Sequence, residues 1–278
     1  DIGVKAGRIA AIGDLKQARA PQTIDATGKY VTPGFIDMHS HSDRDLADAK
    51  LKFNHNMVAQ GITLSVVNQD GRSPESIQQQ RAGYEKQGIG NHAILMVGHG
   101  SVRGRAMKSR DRDKASDADV DAMRKLVEQG MREGAWGLSA GLEYVPGRYS
   151  DTRELIELVK AVKPFRGVYI SHERSEGRDP MWKIASDPTP AADLLDAVRE
   201  TIEIGRATGV PVVCSHIKAK GANYWGSSHA ATQMIRRARE EGVPVYADQY
   251  PYETSGSDGN TVLMPLWAIA APGAKVTG

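Results

Sequence analysis

From Pro33 onward, short apolar runs alternate with polar loops and segments of helical periodicity, and this rhythm constrains the fold more than any other feature. Seven runs read as strands, at residues 34–39, 62–68, 93–98, 135–141, 167–172, 210–216 and 243–249. Strands that alternate with helices run parallel, because each helix returns the chain over the sheet. Ser116 with Asp119 three residues later announces one helix, with Val120, Met123 and Val127 on its apolar face. Asp151, with Glu154 at the capping-box position, announces a second before Leu155, Leu158, Val159 and Val162. A third is expected after Thr189-Pro190, continuing through Leu194, Leu195, Val198 and Ile202. The expected fold is α/β, a TIM-type (β/α)8 barrel over residues 33–278 that stops before its eighth strand. An open doubly wound sheet is the alternative. Catalytic residues drawn from several strand ends at once would separate the two.

Residues 1–32 carry short apolar pieces broken by turn residues, such as Ile9-Ala10-Ala11-Ile12-Gly13, and read as part of a small β-sandwich domain. Lys plus Arg total 36 against 34 Asp plus Glu, and no segment interleaves basic with aromatic residues, so no nucleic-acid partner is expected. No apolar run reaches membrane-spanning length, so no membrane partner is expected either. The single cysteine, Cys214, rules out an internal disulfide framework. The chain opens at Asp1 rather than methionine, so localisation stays open between cytoplasmic and periplasmic or secreted. Oligomeric state is equally open.

The chemistry concentrates at strand ends. Asp37-Met38-His39-Ser40-His41 places two histidines, spaced by two on an extended strand, on one side and near enough to share a cation. Alone, this pattern also describes two solvated loop histidines. His172 and His216 end two later strands, however, so four imidazoles are expected to face one rim, a set suited to one or two zinc-like divalent ions. Two ions need a bridging anion. The fourth strand, Ala135 to Gly141, has no lysine, which leaves Asp70 at the end of the second strand as the candidate. Asp70-Gly71 is also an ordinary turn pair. His55, His92 and His229 read as surface or packing residues, and His99 as a packing or supporting histidine. Cys214 is expected to be a buried small hydrophobe on the strand face of His216. Asp37 is expected to orient the His39 imidazole or to pair with a polar neighbour.

Val31-Thr32-Pro33-Gly34-Phe35-Ile36-Asp37-Met38-His39-Ser40-His41 resembles the first-strand motif of the amidohydrolase superfamily. Residues 137–147 (GLSAGLEYVPG), 171–177 (SHERSEG), 215–218 (SHIK) and 248–252 (DQYPY) together resemble the N-acyl-D-amino-acid deacylases, or D-aminoacylases. The resemblance runs through nearly the whole chain. It implies a barrel flanked by a small β-sandwich, zinc as the expected metal, and His39 with His41 on one ion and His172 with His216 on the other. It also implies that Tyr144 helps polarise the scissile carbonyl while Lys218 and Tyr250 hold the substrate carboxylate, with Arg174 a further candidate. Read without the resemblance, Tyr144 is an aromatic lid residue, Lys218 a solvated cation and Tyr250 a core aromatic. Asp70 stands where that family usually has a cysteine, so metal number and preference do not carry over directly. Residues 178–193 look longer than the family's usual loop, and Trp182 within them is expected to shape the pocket or merely to cover surface.

The implied reaction is hydrolysis of the amide bond of an N-acyl-D-amino acid, a small-molecule substrate, by water that a divalent cation has ionised near neutral pH. In the family an aspartate on the eighth strand moves the proton, and no residue of this chain takes that place, so a protein ending at Gly278 is expected to be nearly inactive and poorly stable. Two other readings remain. One is a cyclic amidohydrolase of the dihydroorotase or hydantoinase kind, which the lysine-free fourth strand disfavours. The other is a non-catalytic metal-binding homologue.

Overall fold

The structure, a computed structural model, describes residues 1–178 and 192–255. The chain forms two compact units, Asp1–Pro33 and Gly34–Gly278. In the first, β1 (Ile2–Lys5) and β2 (Arg8–Ile12) pair antiparallel, with Lys5 opposite Arg8. The two-residue turn between them, Ala6-Gly7, has positive φ at both positions (51° and 72°), the mirror-image turn whose twist matches a hairpin.

In the second unit the strands are β3 (Phe35–Asp37), β4 (Ile62–Val67), β5 (His92–Leu95), β6 (Val97–Gly98), β7 (Gly137–Gly141), β8 (Val168–His172), β9 (Val212–Ser215) and β10 (Val245–Ala247). Every described pairing among them is parallel, and the spatial order follows the chain order. The third expected strand is divided at Met96 into β5 and β6. Met96 N still donates to Val67 O (3.3 Å) and Trp136 N to Leu95 O (3.0 Å), so the ladder continues through the break. Helices fill the crossovers: α1 (Asp43–Ala47) and α2 (His55–Val58) after β3, α3 (Ile77–Gln87) after β4, and α4 (His99–Met107) and α5 (Asp117–Arg132) after β6. Then come α6 (Thr152–Val162), α7 (Leu194–Thr208) and α8 (Ser227–Glu240), one before each of β8, β9 and β10.

Two helix starts depart from expectation in an informative way. At α5 the expected Ser116/Asp119 capping box forms. At α6 the Asp151 side chain accepts from Glu154 N (2.9 Å), but the Glu154 carboxylate turns inward to His99 and Arg103 instead of back to the cap. The start of α7 is a capping box of Asp193 with Asp196, another carboxylate pair at the i, i+3 spacing. Thr189-Pro190, Trp182 and residues 256–278 lie outside the described residues.

Parallel strands with both faces covered are buried on both sides, and residues of β7 and β9 are buried throughout. Leu138, Tyr169 and Val212 pack outward with Met123, Val127, Leu155, Val159 and Val198 from the helices. Full burial of each such aliphatic side chain stabilises the fold by about 1.5–3 kcal/mol. Val66, Met96, Ile170 and Val213 form a separate inner cluster. Because side chains alternate along a strand, His172 lies on the face of Ile170 and Ser215 on that of Val213, one step above this inner layer. Cys214 is therefore on the other face. It is a buried residue, as expected, but it belongs to the helix-facing cluster and sits beside Glu173 and Thr201, not below His216.

Candidate metal centre

The second strand delivers Asp70 to the rim through a backbone that few residues tolerate. Asn68 and Asp70 both have left-handed φ (65° and 57°), a region that Asn and Asp enter more readily than other side chains. Gly71 follows with φ 72°, and a Cβ there would fall 2.9 Å from Gly141 N and 3.1 Å from Gly100 N. Only glycine lets the loop pass this close to β7 and the start of α4. The turn reading of Asp70-Gly71 and the site reading thus describe the same residue.

Four imidazoles surround the Asp70 carboxylate. His39 Nε2 and His172 Nδ1 stand 3.3 and 3.1 Å from Oδ1, His41 Nε2 stands 3.3 Å from Oδ2, and His216 Nε2 is 3.9 Å from Oδ1. His39 and His41 follow the end of β3 in the loop, not on the strand itself, and their Nε2 atoms are 3.3 Å apart. The His39 and His172 rings lie 4.3 and 4.5 Å from the His216 ring, centroid to centroid. His172 and His216 are buried, whereas the His41 side chain is 65% exposed. Burial raises the Asp70 carboxyl, but the four imidazoles outweigh it and hold the acid well below the usual carboxylate range. Burial likewise opposes charge on His172, yet Asp70 and Glu143 lift it to about 9, while burial carries His39 down to about 4.

Two carboxylates that sequence reasoning did not single out complete the cluster. Glu143 Oε2 lies 3.3 Å from His172 Nε2, and Glu176 Oε1 lies 3.2 Å from His216 Nδ1 and 3.8 Å from His172 Nε2. Both sat inside noted motifs, Glu143 two residues beyond β7 and Glu176 four beyond His172. The spacing of Glu176 from His172 was the available signal. Ligand atoms of His39, Asp70 and His216 lie within 4.8 Å of one another, as do those of His172, Glu176 and His216. Imidazole nitrogens and carboxylate oxygens aimed at shared points in a partly dry cleft are a donor set that fits divalent cations of the zinc kind.

The cluster opens into a cavity of about 880 Å³, lined also by Asp37, Tyr144, Lys218, Lys220, Asp248 and Tyr250. The Tyr144 ring packs against His172 in a tilted arrangement, with centroids 4.5 Å apart and planes at 52°. Its hydroxyl is driven upward in pKa by burial and by the carboxylates of Asp70, Glu176 and Glu143, so at neutral pH it is a hydrogen-bond donor. Lys218 Nζ is ion-paired with Glu176, lies 2.8 Å from His216 Nδ1, and sits 5.4 Å from the centre of the Tyr250 ring. Lys220 also pairs with Glu176.

Arg174 is not brought to this cavity. Its guanidinium grips Glu200 of α7 through Nε and Nη2 (2.8 and 2.9 Å) and donates to Arg148 O (3.0 Å). The Asp37 carboxylate accepts from the His39 backbone N (3.1 Å), while the His39 ring finds Ser215 instead. His99 is fully buried in a pair with Glu154 (2.8 Å). His55 and His229 are exposed helix residues, and His92 is an exposed first residue of β5.

Comparison with known proteins agrees with this architecture. An amidohydrolase family model matches residues 22–247. The D-aminoacylase of Alcaligenes xylosoxydans xylosoxydans is 32% identical over 91% of this chain and 53% of its own length, and the N-acyl-D-glutamate deacylase of the same organism is 33% identical over 100% and 57%. The crystal structure of N-acyl-D-glutamate deacylase from Bordetella bronchiseptica, complexed with zinc and a phosphonate mimic of the tetrahedral intermediate, superposes with a TM-score of 0.79 at 33% identity. It aligns over 90% of this chain and 54% of that one. The chain thus spans little more than half the length of these relatives. The unit carrying the site is of the TIM-barrel type seen in these neighbours. The family match runs from before β3 through β10, taking in Asp70 and all four imidazoles around it, and the chain belongs to the amidohydrolase family.

Proposed function

We propose that the protein to which this chain belongs hydrolyses the amide bond of N-acyl-D-amino acids, releasing a carboxylate and a free D-amino acid. The observation that carries the proposal is the approach of four imidazoles to within 4 Å of the Asp70 carboxylate, on the wall of a cavity that also holds Tyr144 and Lys218. In this reading His39, His41, Asp70, His172 and His216 hold one or two divalent ions. Such an ion, when bound, lowers the pKa of water and polarises a carbonyl. Tyr144 stays protonated and donates its hydroxyl to the carbonyl oxygen as negative charge gathers there. Lys218, with Tyr250 beside it, receives the substrate carboxylate. Glu176 holds the ammonium groups of Lys218 and Lys220 at the edge of the cluster. Arg174 has no part in the proposal, its guanidinium being committed to Glu200. The names of the deacylase relatives support the substrate class. The separate hairpin of β1 and β2 supports reading residues 1–32 as part of a small β-sandwich and 33–278 as barrel.

The test is hydrolysis of N-acetyl-D- and N-acetyl-L-amino acids by the full protein, with metal content measured on the same sample. Turnover of D-substrates that disappears on chelation and returns with zinc is the expected result. Metal-replete protein that cleaves neither series would overturn the proposal.

A further inference from the structure

The Ser215 hydroxyl stands between the His39 imidazole and the Asp248 carboxylate. Its Oγ lies 2.9 Å from His39 Nδ1 and 3.0 and 3.1 Å from Asp248 Oδ1 and Oδ2. Ser215 is fully buried, so no water replaces either contact. The pairing of β10 with β9, with Ala247 opposite Cys214, brings Asp248 to this position. The backbone then fixes it: His216 N donates to Asp248 Oδ1 at 2.5 Å, and Ile217 N to Asp248 O at 3.0 Å.

Hydrogen-bond capacity sets the direction of this chain of contacts. A carboxylate only accepts, so the single hydroxyl hydrogen of Ser215 points to Asp248. The Ser215 oxygen turns a lone pair to His39, and Nδ1 of that ring must carry the hydrogen between them. Nε2 of His39 is then the nitrogen with the free lone pair. It is also the atom that faces His41 Nε2 and Asp70 Oδ1, both at 3.3 Å. We infer that Asp248 and Ser215 are positioning residues that hold His39 in its Nδ1–H tautomer and so present Nε2 to a metal ion. This rests on the metal-centre reading above and assigns to Asp248 and Ser215 a role that reading does not contain. Partners of this kind fix ring orientation and typically govern metal affinity by about 10- to 100-fold.

The experiment measures zinc affinity of the full chain by competition with a chelating indicator, alongside thermal unfolding of the metal-free protein. Ser215→Ala removes the acceptor for Nδ1–H. Asp248→Asn must keep its amide oxygen on the His216 N–H, which turns its NH2 to Ser215 and frees the hydroxyl to donate to Nδ1, the opposite polarity. Both substitutions are expected to weaken zinc binding by about 10- to 100-fold, and Ser215→Thr, which keeps the hydroxyl, to bind close to the unaltered affinity. Should Ser215→Ala not fold, the near-isosteric Asp248→Asn carries the test. Variants that melt earlier in the metal-free state yet bind zinc at the unaltered affinity mark a merely structural role and overturn the inference alone. Failure of the unaltered chain to take up zinc removes the metal-centre reading itself, and this inference with it.

Discussion

His172 Nδ1 stands 3.1 Å from Asp70 Oδ1 although 102 positions separate the two in the chain. The contact exists because parallel strands deliver their carboxyl ends to one rim, with β4 carrying Asp70 there and β8 carrying His172. The Asp70 carboxylate is the shared neighbour of every imidazole in the cluster.

Asp70→Ala is expected to remove most bound metal, because four imidazoles lose the anion that neutralises a cation among them. Asp70→Cys should retain metal but shift preference away from manganese and toward zinc and cadmium, since a thiolate is softer. Metal analysis after dialysis against a mixture of these ions checks both. Equal metal profiles for all three proteins would remove Asp70 from the centre.

Lys218→Ala is expected to raise KM for N-acyl-D-amino acids by about tenfold or more with a smaller change in kcat, the pattern of lost ground-state binding. The same substitution should have little effect on a substrate whose α-carboxylate is replaced by an amide. Steady-state kinetics on the acid and amide pair separates recognition of the carboxylate from general damage. An equal KM increase for both substrates would show that Lys218 does not read the carboxylate.

The positions that sequence reasoning found, and those it missed, divide along one physical line. Histidines ending apolar runs stand out because the run marks a strand end, and His172 is the last residue of β8 while His216 is the first beyond β9. The direction of a loop side chain such as Arg174 depends on its tertiary partner, and here Glu200 of α7 claims its guanidinium. Glu143 and Glu176 look like solvated loop acids until the approach of β7 and β8 brings them to His172. Ser215 and Asp248 become related only through the register of β9 and β10. The break at Met96 was equally hidden, since residues 93–98 form one apolar run. Cys214 was placed on the wrong face because His216 has left the strand, with a φ of 39°, so strand alternation no longer relates the two.

The network behind the rim predicts a change in stability rather than chemistry. Glu154 is buried with His99 and Arg103, and although burial raises its carboxyl, these partners hold it below the usual range. Glu154→Ala leaves the fully buried Arg103 guanidinium without its carboxylate and is expected to cost about 3–5 kcal/mol. Denaturant unfolding checks the magnitude. Neither Glu154 nor Arg103 lines the cavity, so metal content of the folded fraction should stay unchanged.

Tyr84 supplies a pH signature on the alkaline side. Burial pushes its hydroxyl up to about 12, where it donates to Asp43 O at 2.8 Å. The folded state therefore favours the neutral phenol. Its contribution is fully present below the unfolded tyrosine pKa of about 10 and is lost as pH rises from there through about 12. Tyr84→Phe should flatten the alkaline loss of stability relative to the unaltered chain in unfolding titrations between these limits. Parallel curves for the two proteins would contradict the assignment.

Anomalous diffraction at the zinc edge, from crystals of the full protein grown with zinc, reads out directly whether four histidines from three strand ends converge on a metal at Asp70. One or two peaks are expected, bounded by His39, His41, Asp70, His172 and His216, within ligand distances of about 2.0–2.2 Å from their nitrogen and oxygen atoms. Crystals whose zinc lies elsewhere on the molecule, with that position empty, would contradict it.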